Sequence, residues 1–329
     1  MEIFAELTEA QKRQFLDAES VFEALEHAEA EGRRHRGSMF WREQDGRKYL
    51  IRMSANSRQK SLGVFSAETR KTFERFNQRK SAVEERVKQL RSEMETWRRM
   101  NKALRVGRTP DLLVDVLNVL ARADVAQHFL LVGTNALYAY ETAAGVRFPS
   151  DVMATRDADF LFDTRSRAEF LEVMKERDAS FIGLLRKADK TFQRHDTDNY
   201  TAVNSKGYEI DLIRRFPPDP EDAGEHPIHM TDHEDDLWAV RASMGEKLLS
   251  SQKFSQVVVG TNGGMARMTT VHPMAFARIK RALAKDRERD PLKARKDAMQ
   301  ARLVTRLIEA HLPHLQEKGA AGKPASRAP

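Results

Sequence analysis

The sequence predicts an α+β chain, a mixed sheet flanked by helices, with a long helix and a β-hairpin before it and a helical region after it. Three observations carry this. Residues 67–104 hold neither proline nor glycine and space their apolar positions as a helix does. From about His128 onward strand-like and helix-like stretches alternate, and strands then run together. Beyond residue 271, HPMAFARIKRALAKDR and PLKARKDAMQARLVTRLIEAHL read as a terminal helical pair.

In chain order, Phe15, Val21, Leu25 and Ala28 form one helical stripe between Leu7 and about Glu31, closed by Gly32 and a basic cluster. GSMFWREQDGRKYLIRM sets an Asp45-Gly46 turn between two runs rich in aromatic and aliphatic residues, a hairpin signal. Ser66 is the expected N-cap of the long helix, with Glu68 in its first turn. Along that helix Val83, Val87, Leu90, Met94 and Trp97 make a coiled-coil-like seam. The seam needs a partner, either the N-terminal helix or a second copy of the chain, which would give a homodimer.

RVGRTP breaks the helix, and DLLVDVLNVLARADV makes a compact amphipathic one. FLLV is a strand leading through Gly133-Thr134 into a helix, DADFLFD a second strand, and SRAEFLEVMKER a helix. FIGLLR, FQRH, YTAVN and GYEIDLIRRF read as four further strands. PPDPEDAGEHP is a proline-rich acidic loop, VVVGTNGGMARM a hairpin, and GAAGKPASRAP from Gly319 a disordered tail. The expected domains are an N-terminal extension (1–107), a core (108–270), a C-terminal helical region (271–318) and the tail (319–329).

At 329 residues and 40% hydrophobic, the chain can bury at least one sizeable core. No run of about 18 apolar residues exists, and the N-terminus lacks the basic-then-apolar order of a signal peptide, so a cytoplasmic protein without a membrane partner is expected. Zero cysteines exclude disulfides, thiolate metal sites and thiol nucleophiles. Any metal must be held by oxygen or imidazole. A charge of +7 favours an anionic partner.

The chemistry centres on MATRDADFLFD, which sets Asp157 and Asp159 in a strand that otherwise reads as buried. Residues i and i+2 share a face, so the two carboxylates stand side by side and repel each other. A divalent cation removes that repulsion, and magnesium prefers such oxygens. Asp211 repeats the oddity between Ile210 and Leu212; if its strand lies beside the first, three carboxylates converge. Gly133-Thr134, at a strand-to-helix junction, suits a phosphate through free backbone N–H groups and the helix dipole.

The order LVGT (131–134), DADF (157–160) and EID (209–211) resembles the nucleotidyltransferase superfold of DNA polymerase beta and the poly(A) polymerases. It is similar to bacterial minimal nucleotidyltransferases, including the AbiEii and MenT toxins, and to a group of GSU2403-like nucleotidyltransferase-fold proteins, over about residues 110–315. The resemblance implies a polymerase-beta-like sheet, Mg2+ (with Mn2+ as an alternative) held by Asp157, Asp159 and Asp211, and Gly133 and Thr134 around the phosphates of an NTP such as ATP. It implies transfer of NMP to a hydroxyl acceptor: RNA, protein or small molecule. Lys280 stands where toxin-like members carry a phosphate-binding lysine. Arg289-Asp290 matches their Arg-Asp pair, but Lys293 departs from the acid that follows it. A catalytically silent nucleic-acid-binding or oligomerisation module and a toxin are the rival readings.

Arg156 precedes the acidic pair and, on the opposite side of the strand from Asp157, is either structural or a substrate contact. His226, His229 and His233 with Asp232, Glu234 and Asp235 offer either a second metal site or a solvated loop, and Trp238 is expected in the core. In the hairpin, Phe40, Trp41, Arg42, Lys48, Tyr49 and Arg52 interleave aromatic and basic residues. They either stack bases and meet phosphates or pack on a neighbouring helix.

Overall fold

A computed structural model describes residues 4–54, 57–215 and 227–316. All but the last residue of the expected acidic loop, His226 and the expected tail lie outside the described residues. The chain divides into two compact units, one of residues 8–106 with 261–265, the other of residues 1–7, 107–260 and 266–329.

After β1 (Ala5–Glu6), which belongs to the larger unit, the smaller one contains α1 (Glu9–Arg34), β2 (Ser38–Gln44), β3 (Arg47–Met53), β4 (Gln59–Val64) and α2 (Ala67–Leu104). A capping box starts α1: the Thr8 hydroxyl accepts from Gln11 N (3.3 Å), and the Gln11 side chain accepts from Thr8 N (2.9 Å). The helix does not end at Gly32 but runs on to Arg34. There a Cβ would lie 3.5 Å from Val83, ordinary contact, so this glycine imposes no break. The buried stripe is Phe15, Ala18, Phe22 and Ala28, with Val21 and Leu25 only half-buried.

α2 begins at the expected Ser66 cap, and α1 runs antiparallel along it. Gln14 donates to Asn101 (3.0 Å), Arg91 pairs with Glu29 (2.7 Å), and the His35 ring meets Phe76 edge-on at 6.1 Å. Val83 is buried and Val87, Leu90, Met94 and Trp97 are half-buried among exposed neighbours, so the seam finds its partner in α1 of the same chain. The strands form an antiparallel sheet, β2-β3-β4. Its first turn places Asp45 and Gly46 at φ 49° and 70°, the pair of positive angles a type I′ turn requires. Trp41 packs on Phe73 (5.7 Å) and Arg52 lies over the Phe76 ring (4.5 Å), so one sheet face covers α2.

The larger unit continues with α3 (Asp111–Arg122), β5 (Phe129–Val132), α4 (Leu137–Ala144), β6 (Val146–Arg147), α5 (Ser150–Met153), β7 (Asp157–Phe162), α6 (Arg167–Glu176) and α7 (Phe181–Ala188). Then come β8 (Gln193–Arg194), β9 (Thr201–Val203), β10 (Glu209–Arg214), β11 (Ile228–His229), β12 (Trp238–Arg241) and α8 (Gly245–Ser250). A hairpin, β13 (Lys253–Val259) and β14 (Met265–Val271), leads to α9 (Pro273–Leu283) and α10 (Pro291–His311). The main sheet has the order β11-β12-β10-β7-β5, with β8 and β9 attached through β10. It is mixed: β7 pairs parallel with β10 and antiparallel with β5. Phe129, Phe162, Phe170 and Phe181 cluster behind it with centroids 5.1–5.8 Å apart. Burying each such ring is worth roughly 2–3 kcal/mol.

FIGLLR, read as a strand, is helix α7. A short apolar run does not distinguish strand from helix. What settles it is distant in sequence: the buried Asp236 carboxylate accepts from Phe181 N (3.0 Å) and Ile182 N (2.9 Å), while Ser180 caps Gly183 N. No helix among the described residues is long and apolar enough to cross a membrane.

Candidate functional site

Strand alternation sends Ala158 and Phe160 into the core and turns Asp157 and Asp159 to the opposite face. The parallel register of β7 with β10 then sets Asp211 opposite Asp159 and Glu209 opposite Asp157. One ligand oxygen from each of Asp157, Asp159 and Asp211 lies within 4.8 Å of the others, and no other group of this kind occurs among the described residues. Two hydroxyls support the cluster. Thr201, opposite Asp211 on β9, donates to its carboxylate at 2.5 Å, and Thr155 donates to Asp157.

Gly133 lies against the same cluster. Its φ is +69°, and a Cβ there would sit 2.2 Å from Asp159 Oδ2, so both backbone and space demand glycine. Residues 133–136 form a 3₁₀ turn that leads into α4. The Asn135 amide donates to the Asp157 carbonyl (2.6 Å), tying the turn to β7, and Gln300 of α10 donates to the Thr134 hydroxyl (3.2 Å).

Burial, then the charges of Asp157 and Asp211, push the Asp159 carboxyl up to about 7, against an opposing pull from Lys280 and Arg289. Burial also raises Asp211, with Thr201 partly offsetting it. The cluster thus carries more negative charge than its surroundings neutralise. Lys280 is buried and pairs with Asp297 at 2.6 Å, and Arg289 takes the other oxygen of Asp297 at 2.9 Å. Asp297 lies one helical turn after Lys293, while Asp290 caps α10 by accepting from Lys293 N (2.9 Å).

The sequence reading missed several residues. Asp297 and Gln300 occupy the buried stripe of α10 alongside Leu303, Val304 and Leu307, and polar residues in an apolar phase were the available signal. Lys296 donates to the Ala154 carbonyl (2.6 Å), and burial holds its ammonium below the usual lysine range. Tyr208 is half-buried, and burial followed by the nearby Tyr138, Asp157 and Asp159 suppresses its ionisation; its hydroxyl is buried without a hydrogen-bond partner among the described residues.

Among the described residues the other acidic and imidazole candidates form no such cluster. Arg156 is exposed, and its backbone carbonyl accepts from Glu209 N (2.9 Å), which joins β7 to β10. His229 stacks on a half-buried Trp238 (4.6 Å), Asp235 pairs with Arg186 (2.9 Å), and His233 sits 3.9 Å from Asp178.

An all-oxygen group of three carboxylates, with a glycine turn and the cations Lys280 and Arg289 acting on it, is suited to a hard cation and a phosphate. A family model described as nucleotidyltransferase matches residues 111–323, more than half of the chain, and the chain belongs to that family of transferases. No curated protein and no solved structure matches the chain.

Proposed function

We propose that this member of the nucleotidyltransferase family transfers a nucleoside monophosphate from an NTP to a hydroxyl acceptor, with Mg2+ as the preferred cofactor and Mn2+ as a substitute. The approach of Asp157, Asp159 and Asp211 to within 4.8 Å carries the reading. Three carboxylates this close repel one another, and burial together with that repulsion raises the Asp159 carboxyl. A divalent cation bound there neutralises the cluster and stabilises charge on the reacting phosphoryl oxygens.

The chain's own residues do the positioning. Asp157 and Asp159 would hold the cation, and Asp211 would join them and orient the attacking hydroxyl or accept its proton. Gly133, lacking a Cβ, lets the turn approach a phosphate beside the Thr134 hydroxyl. Lys280 faces the phosphates, and Asp297 holds both Lys280 and Arg289 in place. The acceptor oxygen bonds to the α-phosphorus as the bond to the bridging oxygen breaks, and pyrophosphate leaves. Incubation with labelled NTPs, Mg2+ and cell extract tests this. Label should pass to an acceptor with wild-type protein; equal labelling by Asp157→Ala/Asp159→Ala would sink the assignment.

A further inference from the structure

The charge of the chain is not evenly placed. Residues 33–80 hold fourteen Lys or Arg against four Asp or Glu, a formal +10, more than the +7 of the whole chain. The rest is net acidic. This basic segment is the three-stranded sheet with the approaches to it, and Arg34, Arg36, Arg42, Arg47, Lys48, Arg58 and Lys60 are all exposed.

The two faces of that sheet differ. Trp41 and Arg52 turn toward α2, so alternation and cross-strand register put Phe40, Arg42, Tyr49, Ile51, Ser61 and Val64 on the other face. Arg42 lies over the Phe40 ring at 5.7 Å, Phe40 and Tyr49 are half-buried, Ile51 is buried, and Val64 is 47% exposed. On the edge strand β4 Leu62 is exposed as well, while Phe65 just after it meets the Trp41 ring at 5.1 Å on the side of α2. Apolar and aromatic surface amid dense positive charge is an unfavourable exposure for a free protein.

We propose that this face of β2-β3-β4 binds single-stranded RNA. Arginines meet the phosphates, and Phe40 and Tyr49 offer rings to bases that only an unpaired strand can present. A duplex would use the charge and leave the rings idle. Ser61, and Gln44 in the same row as Arg42, are exposed polar groups that can hydrogen-bond a 2′-hydroxyl, which favours RNA over DNA.

The test is fluorescence anisotropy of a labelled single-stranded RNA with the full chain in EDTA and without nucleotide. Binding is then read independently of transfer, and the Asp157→Ala/Asp159→Ala protein should bind RNA as the wild type does. Replacing the exposed Arg42, Arg47 and Arg58 by Gln should weaken binding at least about tenfold and lower the steepness of the log affinity against log salt plot by about 2. Phe40→Ala and Tyr49→Ala should each weaken it about fivefold or more at fixed salt. Absence of binding, equal affinity for duplex DNA or heparin, or wild-type affinity in the folded arginine variant would each overturn the proposal.

Discussion

Two regions of this chain handle charge in opposite ways. On β7 and β10 a few carboxylates are crowded and withdrawn from water, so each needs a compensating group, and Gly133, Lys280 and Arg289 are disposed around them. On the N-terminal sheet many cations are spread over an exposed surface, where water solvates each of them. Buried charge is costly, so its placement is informative one residue at a time; exposed charge is cheap and becomes informative only in aggregate.

The sharpest way to break this comparison is to remove charge where it is crowded. Asp157→Ala/Asp159→Ala should lower nucleotidyl transfer by about a thousandfold or more, on the order of 4 kcal/mol, as measured by initial rates. The same change should stabilise the metal-free chain by about 1–3 kcal/mol, read by urea unfolding in EDTA, because it relieves like-charge repulsion. Loss of both activity and metal-free stability would mean that the carboxylates serve the fold.

Asp297→Ala leaves Lys280 buried without its anion and should cost about 3–4 kcal/mol by the same unfolding measurement, with Asp297→Asn costing less. Next in size is Gly133→Ala, where a positive φ combines with a collision against Asp159. A loss of about 2–3 kcal/mol is expected, together with weakened metal binding by calorimetry.

The pH dependence sharpens the comparison further. The Asp159 carboxyl, raised in the folded chain from 3.8 to about 7, is protonated more readily folded than unfolded. The contribution of this group to metal-free stability should therefore be fully present below about pH 4, be lost as pH rises through about 7 and then level off, a total of about 4 kcal/mol. Thermal midpoints across this range should show the fall, and saturating Mg2+ should flatten it. The smallest effect belongs to the exposed region: Arg91→Ala removes the pair with Glu29 and should change stability by less than about 0.5 kcal/mol.

Much of the site could be read in the sequence because its residues break local patterns. Asp157, Asp159 and Asp211 are acids in apolar strands, and Gly133 interrupts a strand-to-helix junction. That they meet follows from the resemblance and not from local pattern, since the parallel register of β7 with β10 is decided by contacts remote in sequence. The same limit explains the misreading of α7, whose helix is capped by Asp236. Short elements such as β11, β12 and α8 carry too few residues to show a period.

The parallel pairing of β7 with β10 also has a kinetic meaning. Residues 163–208, including α6 and α7, lie between the two strands, so the chain must close a long loop before Asp159 and Asp211 become neighbours. Closure also brings like charges together, so metal-free refolding should be slow at this step and Mg2+ should quicken it. Stopped-flow refolding with and without Mg2+ measures that difference, and identical rates would show that the strands pair before the carboxylates feel one another.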